Sequence, residues 1–171
     1  MTTPADTGPP HWSARPYDPE RAADRETALA FFTEPDFHFR TAQPDTRAEW
    51  ELLGLLDDGT RILLADSVPV GLYAVEDMGS EHGSHVQLDL RLHDRAPGHW
   101  WPAAYRAVLD GLRWRRELVR VTVRMGEHDA RGLAAARAAG LTEEGTLAHV
   151  TLHDGKPCGT VFFSQIWAPA S

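Results

Sequence analysis

The sequence contains one cysteine, Cys158, among its 171 residues. A single thiol cannot form a disulfide within the chain, which is typical of proteins in a reducing compartment, and we expect a cytoplasmic location. No segment approaches the ~20 consecutive apolar residues of a membrane-spanning helix. Residues 1–10 lack the basic and apolar regions of a signal peptide, so we expect a flexible N-terminal tail followed by a single domain over residues 11–171.

Lysine is also scarce, and positive charge is carried almost wholly by arginine. Lysine occurs only at Lys156, and the formal net charge is −8 with a sequence pI near 5.5. General nucleic-acid binders need a basic face that displaces counterions from phosphate, which this balance does not offer. The arginines within 113–116 are interpreted as the solvated end of a helix, where cations suit the helix dipole. We therefore expect neither nucleic acid nor membrane as a partner.

Hydrophobic periodicity and turn residues predict elements in the order β, α, α, β, β, β, α, β, α, β, β. The strand at His85–Leu92 is followed by a turn at 93–98 and a helix from about 99 to 114. Later strands are predicted at 146–152 and 160–167, around a hairpin turn at Asp154–Gly155. Hairpins combined with crossover helices predict an α/β fold, with a mixed central sheet of about six to seven strands and helices on both faces.

The strand–turn–helix segment at 84–114 has the clearest functional pattern. A helix that starts directly after a glycine turn presents unpaired backbone N–H groups, which bind anions such as phosphate. Within the strand, Gln87, Asp89 and Arg91 share the face of His85, because side chains alternate with a period of two. A polar face on a central strand indicates the wall of a cleft, although a face covered by water would have the same pattern.

The element order and two C-terminal motifs resemble the GCN5-related N-acetyltransferase (GNAT) superfamily over nearly the whole chain. Ala134–Leu141 followed by Glu144–Gly145 is similar to the branch that includes ribosomal-protein-alanine and antibiotic acetyltransferases. His153–Ser164 is similar to the closing hairpin of that branch. The resemblance implies the GNAT fold and an acetyl-CoA-dependent N-acetyltransferase, in which an amine of a small molecule or peptide attacks the thioester directly.

The resemblance also implies where acetyl-CoA would bind. In the superfamily, the strand before the glycine turn separates from its neighbour and pairs with the pantetheine arm. The turn then wraps the pyrophosphate with the motif Q/R-x-x-G-x-G/A, which Arg95 and Gly98 match. The residues that correspond to this cofactor site are Leu90, Arg91, Leu92, Arg95, Gly98, His99 and Trp100. Asp129 belongs to the same site and lies at the start of the helix that follows the next strand.

This motif departs from the family pattern at several positions. Trp100 replaces the second Gly or Ala, so a large ring is expected at the phosphate site, and Pro97 removes one N–H from the turn. Asp129 and Gly132 stand where relatives often have Asn and Ser, and a carboxylate is expected to repel phosphate. These departures suggest an alternative: a GNAT-fold enzyme that has lost CoA binding and catalyses a different reaction on a biosynthetic intermediate in the same cleft, as in specialised metabolism.

Three polar residues are candidates for proton transfer. His85 lies near the position where relatives carry a catalytic Glu, and an imidazole is suited to proton transfer near neutral pH. Asp89 is the second candidate base, and either group would act through water. Ser164, in the last strand, can donate a proton to the leaving thiolate. The structural alternatives are a solvated histidine at a strand end and a buried strand serine.

Other side chains are candidates for the acceptor site. Phe37 and Phe39 line an acceptor pocket or cap the core, and Trp101 stacks on a planar ligand or anchors helix to sheet. Gln87 belongs to the predicted cleft wall. Cys158 has no histidine neighbour in the sequence, so a nucleophilic role is not expected.

No metal is expected. His82 and His85 with Glu81 lack a third histidine or cysteine at a fixed spacing, and so does the pair His149 and His153. A third functional hypothesis is a non-catalytic binding module, although a polar central strand face would then serve no purpose. The oligomeric state is open, and a homodimer is common among GNAT relatives.

Overall fold

The computed structural model describes residues 8–79 and 83–167. A seven-stranded sheet is ordered β1-β2-β3-β4-β5-β7-β6, and every neighbouring pair is antiparallel except β4 and β5. The elements are β1 (Trp12–Pro16), α1 (Ala22–Phe32), α2 (Glu49–Leu53), β2 (Thr60–Ala65), β3 (Val68–Asp77), β4 (His85–Leu92), α3 (Trp100–Arg115), β5 (Arg120–Gly126), α4 (Ala130–Ala138), β6 (Thr142–His153) and β7 (Lys156–Ile166), with a 3-10 turn at Pro44–Thr46.

The predicted fold class and element order are confirmed, and the differences lie in the element ends. The last two strands are longer than predicted, because β6 is an edge strand in which even exposed polar residues such as Glu143 pair with β7 through their backbone. Apolar alternation is therefore weak over the part of β6 that precedes Thr146. No helix within the described residues is long and apolar enough to cross a membrane.

Two hydrophobic cores cover the two faces of the sheet. Helices α3 and α4 pack on one face, against the even-numbered residues of β4. Helices α1 and α2 pack on the other face. The largest members of the first core include Tyr105, Trp101, Leu88, Leu92, Val121, Val123 and Phe163, and those of the second include Phe31, Phe32, Phe37, Phe39, Ile62 and Leu72.

The odd-numbered residues of β4 lie at the border of the second core. Asp89 and Arg91 are the cross-strand partners of Ala74 and Leu72, which belong to that core. Because β4 is the central strand and its neighbour β5 is parallel to it, this polar face meets the point where the two halves of the sheet join.

Candidate active site

Strands β4 and β5 are paired only at their beginnings. The pairs are His85 with Arg120, Val86 with Val121 and Gln87 with Thr122. On its other edge, β4 stays paired with β3 as far as Leu92. Parallel strands are normally bonded along their length, so the structure contains a split in the middle of the sheet, between the later halves of β4 and β5.

A cavity of about 810 Å³ opens at this split. The sequence predicted that Gln87, Asp89 and Arg91 form the wall of a cleft, and the structure places all three side chains on the cavity wall. Phe39, Leu90 and Asp129 also line the cavity. The other lining residues include Arg40, Arg47, Arg124, His38, His128, Tyr105, Leu147, Val150, Thr151 and Phe162.

Asp89 is held in place by two neighbours. Arg40 Nε donates to Asp89 Oδ2 at 2.8 Å, and Gln87 Nε2 donates to Asp89 Oδ1 at 3.3 Å. The same Arg40 guanidinium bonds Asp57 at 2.8 Å. Burial raises the pKa of Asp57, but the hydrogen bond and charge of Arg40 outweigh it, so this pKa lies below its ordinary value. Arg40 thus ties β4 to the loop before β2 and orients the Asp89 carboxylate beside the cavity.

Arg91 spans the gap between β4 and the start of α4. Its Nη1 donates to Asp129 Oδ2 at 2.5 Å, and its Nη2 donates to the carbonyl of Asp36 at 2.6 Å. Its guanidinium carbon lies 4.8 Å from the centre of the Trp101 ring. Arg91 is 3% exposed and Asp129 6% exposed, so this is a buried ion pair. The resemblance assigned Arg91 to the cofactor, whereas the structure commits its side chain to Asp129 within the gap.

Asp129 is the N-cap of α4. Its Oδ1 accepts a hydrogen bond from the backbone N–H of Gly132 at 3.0 Å, which satisfies one of the free donors at the helix start. A Cβ at position 132 would lie 2.3 Å from Asp129 Oδ2, so glycine makes room for the carboxylate. Arg91 balances the charge of Asp129, which reduces the repulsion of phosphate that the sequence predicted.

The turn between β4 and α3 offers fewer N–H groups than its sequence suggested. The N–H groups of Trp100 and Trp101 donate to the carbonyls of Pro97 and Gly98 at 2.9 and 3.3 Å. Pro97 and Pro102 have no N–H at all. The N–H groups of Arg95, Gly98 and His99, all at exposed residues, have no hydrogen-bond partner among the described residues and remain as donors at the turn.

Positive side chains surround the same turn. Arg95 and His99 are exposed on it, and Arg131 Nη1 donates to the carbonyl of Asp94 at 3.4 Å. The sequence analysis missed Arg131, because it belongs to α4, which only the fold brings beside the turn. The ring of Trp100 packs edge-on against Trp12 of β1, with the ring centroids 5.8 Å apart, and against His99 of the turn, with the centroids 6.5 Å apart.

His85 and Ser164 lie outside the residues that line the cavity. His85 Nε2 is 2.8 Å from Thr122 Oγ1 on β5, and Ser164 Oγ donates to Glu144 Oε1 at 2.9 Å. Glu144 also pairs with Arg120. Hydrogen bonds from Arg120 and Ser164 lower the pKa of the Glu144 carboxyl. These side chains connect β4, β5, β7 and β6 on one sheet face, which gives His85 and Ser164 structural partners.

Two of the predicted substrate residues belong to the core. Phe37 is 0% exposed and packs against Phe31 and Phe32, and Trp101 is 2% exposed beneath Arg91. Neither lines the cavity, so the core alternative describes both. Leu92 is likewise buried, although its backbone remains on the free edge of β4.

A histidine cluster at the cavity was not predicted from the sequence. His38 and His128 line the cavity, and His128 Nδ1 lies 3.4 Å from the sulfur of Cys158. Cys158 thus has a histidine neighbour in space, although it has none nearby in the sequence. No short-range sequence pattern indicates this cluster, because these residues are separated by 30 positions or more.

Among the described residues, one group of metal-ligand type has all its ligand atoms within 4.8 Å of one another: Glu34, His93 and Asp94. Glu34 Oε2 accepts the backbone N–H of Asp94 at 2.9 Å, so this group is already bonded internally. The weak grouping of His85 with Glu81 and His82 cannot be compared, because residues 80–82 lie outside the described part of the chain.

Comparison with solved structures identifies the fold. A ribosomal-protein-alanine N-acetyltransferase from Brucella melitensis superposes with a TM-score of 0.67 at 18% identity, over 91% of this chain and 99% of its own. A GNAT-family acetyltransferase from Bacillus anthracis superposes with a TM-score of 0.71 at 12% identity, over 93% and 96% of the two chains. The chain has the GNAT fold.

A ribosomal L7/L12 α-N-protein acetyltransferase, solved in complex with coenzyme A, shares the GNAT fold as well. Its TM-score is 0.67 at 13% identity, over 91% of this chain and 93% of its own. No protein-family model matches the chain, and no curated protein matches it in sequence. The predicted resemblance to GNAT proteins is therefore confirmed for the fold, and at these identities the acceptor has to be argued from the site.

Proposed function

We propose that this protein transfers the acetyl group of acetyl-CoA to the amine of a small molecule or peptide. The observation that carries the proposal is the separation of β4 from β5 after Gln87. The edge of β4 from Leu88 to Leu92 is thereby open to an extended partner, while β3 holds the opposite edge. A pantetheine arm carries amide groups and can pair with this edge as an additional strand would. The GNAT fold of the chain supports the same assignment.

Different parts of the structure are assigned to the two ends of acetyl-CoA. The free edge of β4 and the adjacent cavity suit the pantetheine and the acetyl group. At the β4–α3 turn the N–H groups of Trp100 and Trp101 are bonded to carbonyls of the turn. We therefore assign the pyrophosphate to the side chains of Arg95 and Arg131, with His99 beside them, together with the free N–H groups of the turn. Arginine suits this role because its guanidinium stays charged and bonds phosphate oxygens in pairs.

Asp89 is the candidate general base. In direct transfer, the amine nitrogen attacks the thioester carbon, the carbon–sulfur bond breaks, and the amine loses a proton. Asp89 lines the cavity and is oriented by Arg40 and Gln87, so it can accept that proton through a water molecule. A free backbone N–H of β4 beyond Gln87 can stabilise the thioester oxygen as charge develops on it. His85 is a less suitable base, because it lies away from the cavity lining.

Calorimetry with acetyl-CoA tests the proposal, followed by an assay of thiol release with a panel of small amines and of peptides with free N-termini. We expect saturable binding of acetyl-CoA and amine-dependent release of CoA. Absence of binding at millimolar acetyl-CoA would contradict the proposal. Absence of binding and of any turnover would favour the non-catalytic module.

A second candidate function is favoured by Arg91. Its guanidinium fills the gap between β4 and α4, bonded to Asp129 on one side and to the Asp36 carbonyl on the other. In this candidate, the ion pair keeps the acyl group of a thioester out of the gap, and the cavity serves a CoA-independent reaction on a biosynthetic intermediate.

The two candidates differ in the response to opening the gap. In the second, the double variant Arg91→Met/Asp129→Asn gains affinity for acetyl-CoA, whereas the wild-type protein has none. In the first, the wild-type protein binds acetyl-CoA, and the affinity of the double variant for acetyl-CoA is at most about tenfold higher. Asparagine at position 129 keeps the N-cap of α4, so the helix start is retained.

The single cysteine supports the cytoplasm as the location, and sedimentation would establish whether the protein is a homodimer.

A further inference from the structure

Three histidines from three separate segments meet at one end of the cavity. His38 lies in the loop between α1 and α2, His128 lies between β5 and α4, and His153 ends β6. The ring centroids of His38 and His128 are 4.8 Å apart, those of His38 and His153 6.0 Å, and those of His128 and His153 3.8 Å. Cys158 of β7 completes the group, with its sulfur 3.4 Å from His128 Nδ1.

The imidazole nitrogens of this group are poorly satisfied. His38 Nδ1, His128 Nε2 and His153 Nδ1 are each buried without a hydrogen-bond partner. Buried polar atoms in proteins are nearly always bonded, so the free nitrogens of His38 and His153 call for a ligand. In His128 it is the other ring nitrogen, Nδ1, that lies beside the thiol of Cys158.

The backbone around the cluster is shaped to hold these side chains. A Cβ at Gly126 would lie 2.2 Å from Cε1 of His128, so glycine leaves the space that the ring occupies. Thr151 pairs with Cys158 and His153 with Lys156 across the β6–β7 hairpin, which puts His153 and Cys158 on the same face of the hairpin. The hairpin thus delivers an imidazole and a thiol together.

We propose that His38, His128, His153 and Cys158 form a binding site for a transition-metal ion, with Zn²⁺ as the best match. Neutral imidazoles and a thiolate are the ligands that Zn²⁺ prefers among divalent ions. Tetrahedral Zn²⁺ with bonds of about 2.05 Å to nitrogen and about 2.3 Å to sulfur sets these two atoms about 3.5 Å apart. The distance from His128 Nδ1 to Cys158 Sγ matches this separation.

The positions of two histidines have to change for all four side chains to reach one ion. Two imidazoles on one tetrahedral ion have their ring centroids about 5 Å apart, as follows from the same bond lengths. The His38–His128 and His38–His153 distances lie on either side of this value, whereas the stacked rings of His128 and His153 are too close. The ligand atoms of the group are also spread beyond 4.8 Å. His153 therefore has to turn out of the stack and His38 has to move closer to His128 and Cys158, because no three ligand atoms of these four side chains lie within 4.8 Å of one another. The ion would then connect the α1–α2 loop, the β5–α4 turn and the β6–β7 hairpin.

Cobalt is the most direct probe of this site, because Co²⁺ replaces Zn²⁺ and is coloured. We titrate Co²⁺ alone into reduced protein that carries no histidine tag. The expected result is a near-ultraviolet charge-transfer band from thiolate to Co²⁺, together with intense visible bands of tetrahedral cobalt. Cys158→Ser removes the charge-transfer band. A wild-type protein without the band, or a band that persists in Cys158→Ser, overturns the proposal.

Calorimetry with Zn²⁺ supplies the second measurement. His38→Gln and His128→Gln are each expected to raise the Kd at least about tenfold. The matched control is His11→Gln, an exposed histidine away from the cluster, which leaves the Kd unchanged. His38 belongs to a loop, so its variant folds even if His128→Gln does not, and circular dichroism checks both. An equal Kd in wild type and His38→Gln overturns the proposal. These readouts are independent of acetyl-CoA, so they do not depend on the proposed function.

Discussion

Arg91 and Asp129 form an ion pair across the split of the sheet, with Nη1 and Oδ2 2.5 Å apart. The two residues come from β4 and from the N-cap of α4, and both are buried. The pair therefore connects the two walls of the cavity at the point where β4 and β5 have separated. It contributes to stability and also controls the width of the gap.

The ion pair predicts a large stability loss when one partner is removed. Arg91→Met leaves the Asp129 carboxylate buried without its cation, which is expected to lower the free energy of unfolding by about 3–5 kcal/mol. The double variant Arg91→Met/Asp129→Asn removes both charges and should recover most of the loss. Urea unfolding measures both variants. A single variant as stable as the wild type would show that the pair does not persist in solution.

Asp24 predicts the acid side of the stability profile. It is fully buried, and Arg15 Nη1 donates to its Oδ2 at 2.7 Å. The hydrogen bond from Arg15 lowers the pKa of Asp24 in the folded protein. The folded state therefore holds this proton less readily than the unfolded chain does, so the stabilisation is present at neutral pH and is lost as the pH falls through the acidic range.

Asp24→Asn tests this assignment. The variant should be less stable at pH 7 by about 1.5–3 kcal/mol, because a buried charge-assisted hydrogen bond is lost, and its stability should fall less steeply in acid. Urea midpoints measured across the pH range compare the two proteins. Asp58→Asn, at an exposed position, is the control. Parallel pH profiles for wild type and Asp24→Asn would contradict the role of this carboxyl.

Asp89 predicts the effect of removing the base. Asp89→Asn keeps the shape and the contact with Arg40 but cannot accept a proton, so kcat with an amine acceptor should fall about 10²–10⁴-fold. Asp57→Asn is the matched control, since Asp57 bonds the same Arg40 at the rim of the cavity. Its kcat should change far less. Equal losses in the two variants would show that Arg40 placement, rather than proton transfer, is responsible.

The arginines at the β4–α3 turn predict a difference between donors. Arg95→Gln and Arg131→Gln should each weaken acetyl-CoA binding, and the weakening should diminish at high salt because screening already reduces the charge interaction. Acetylpantetheine lacks the pyrophosphate, so its KM should be unchanged in both variants. A loss that is equal for the two donors would place these arginines elsewhere than at the pyrophosphate.

Two glycines near the site predict opposite responses to alanine. A Cβ at Gly71 would lie 2.2 Å from the carbonyl oxygen of Arg91, which is backbone and cannot turn away. Gly71→Ala should therefore push β3 and β4 apart and destabilise the protein by about 1–3 kcal/mol. A Cβ at Gly98 meets nothing within 4 Å, so Gly98→Ala should leave the stability near that of the wild type. Thermal unfolding of both variants shows whether glycine is needed because space is short, as at Gly71, or only matches the family motif, as at Gly98.

Short-range sequence patterns were sufficient for the elements of this fold. Alternation along β4, the turn at Asp154–Gly155 and the helix that ends before Gly140 each depend on neighbours within a few positions. The resemblance to GNAT proteins followed from the same order of elements. The cleft wall of Gln87, Asp89 and Arg91 was also predictable, because the period of a strand assigns its residues to faces.

The sequence by itself determined the elements, their order and the polar face of β4, since these follow from local conformational preferences. Only the tertiary structure decided what that face contacts. Arg91 and Asp129 are 38 positions apart, and His128 and Cys158 are 30 apart, so no spacing rule connects either pair. Each pair forms because the fold brings distant segments of the chain side by side. Residues that are then close in space form ion pairs or hydrogen bonds.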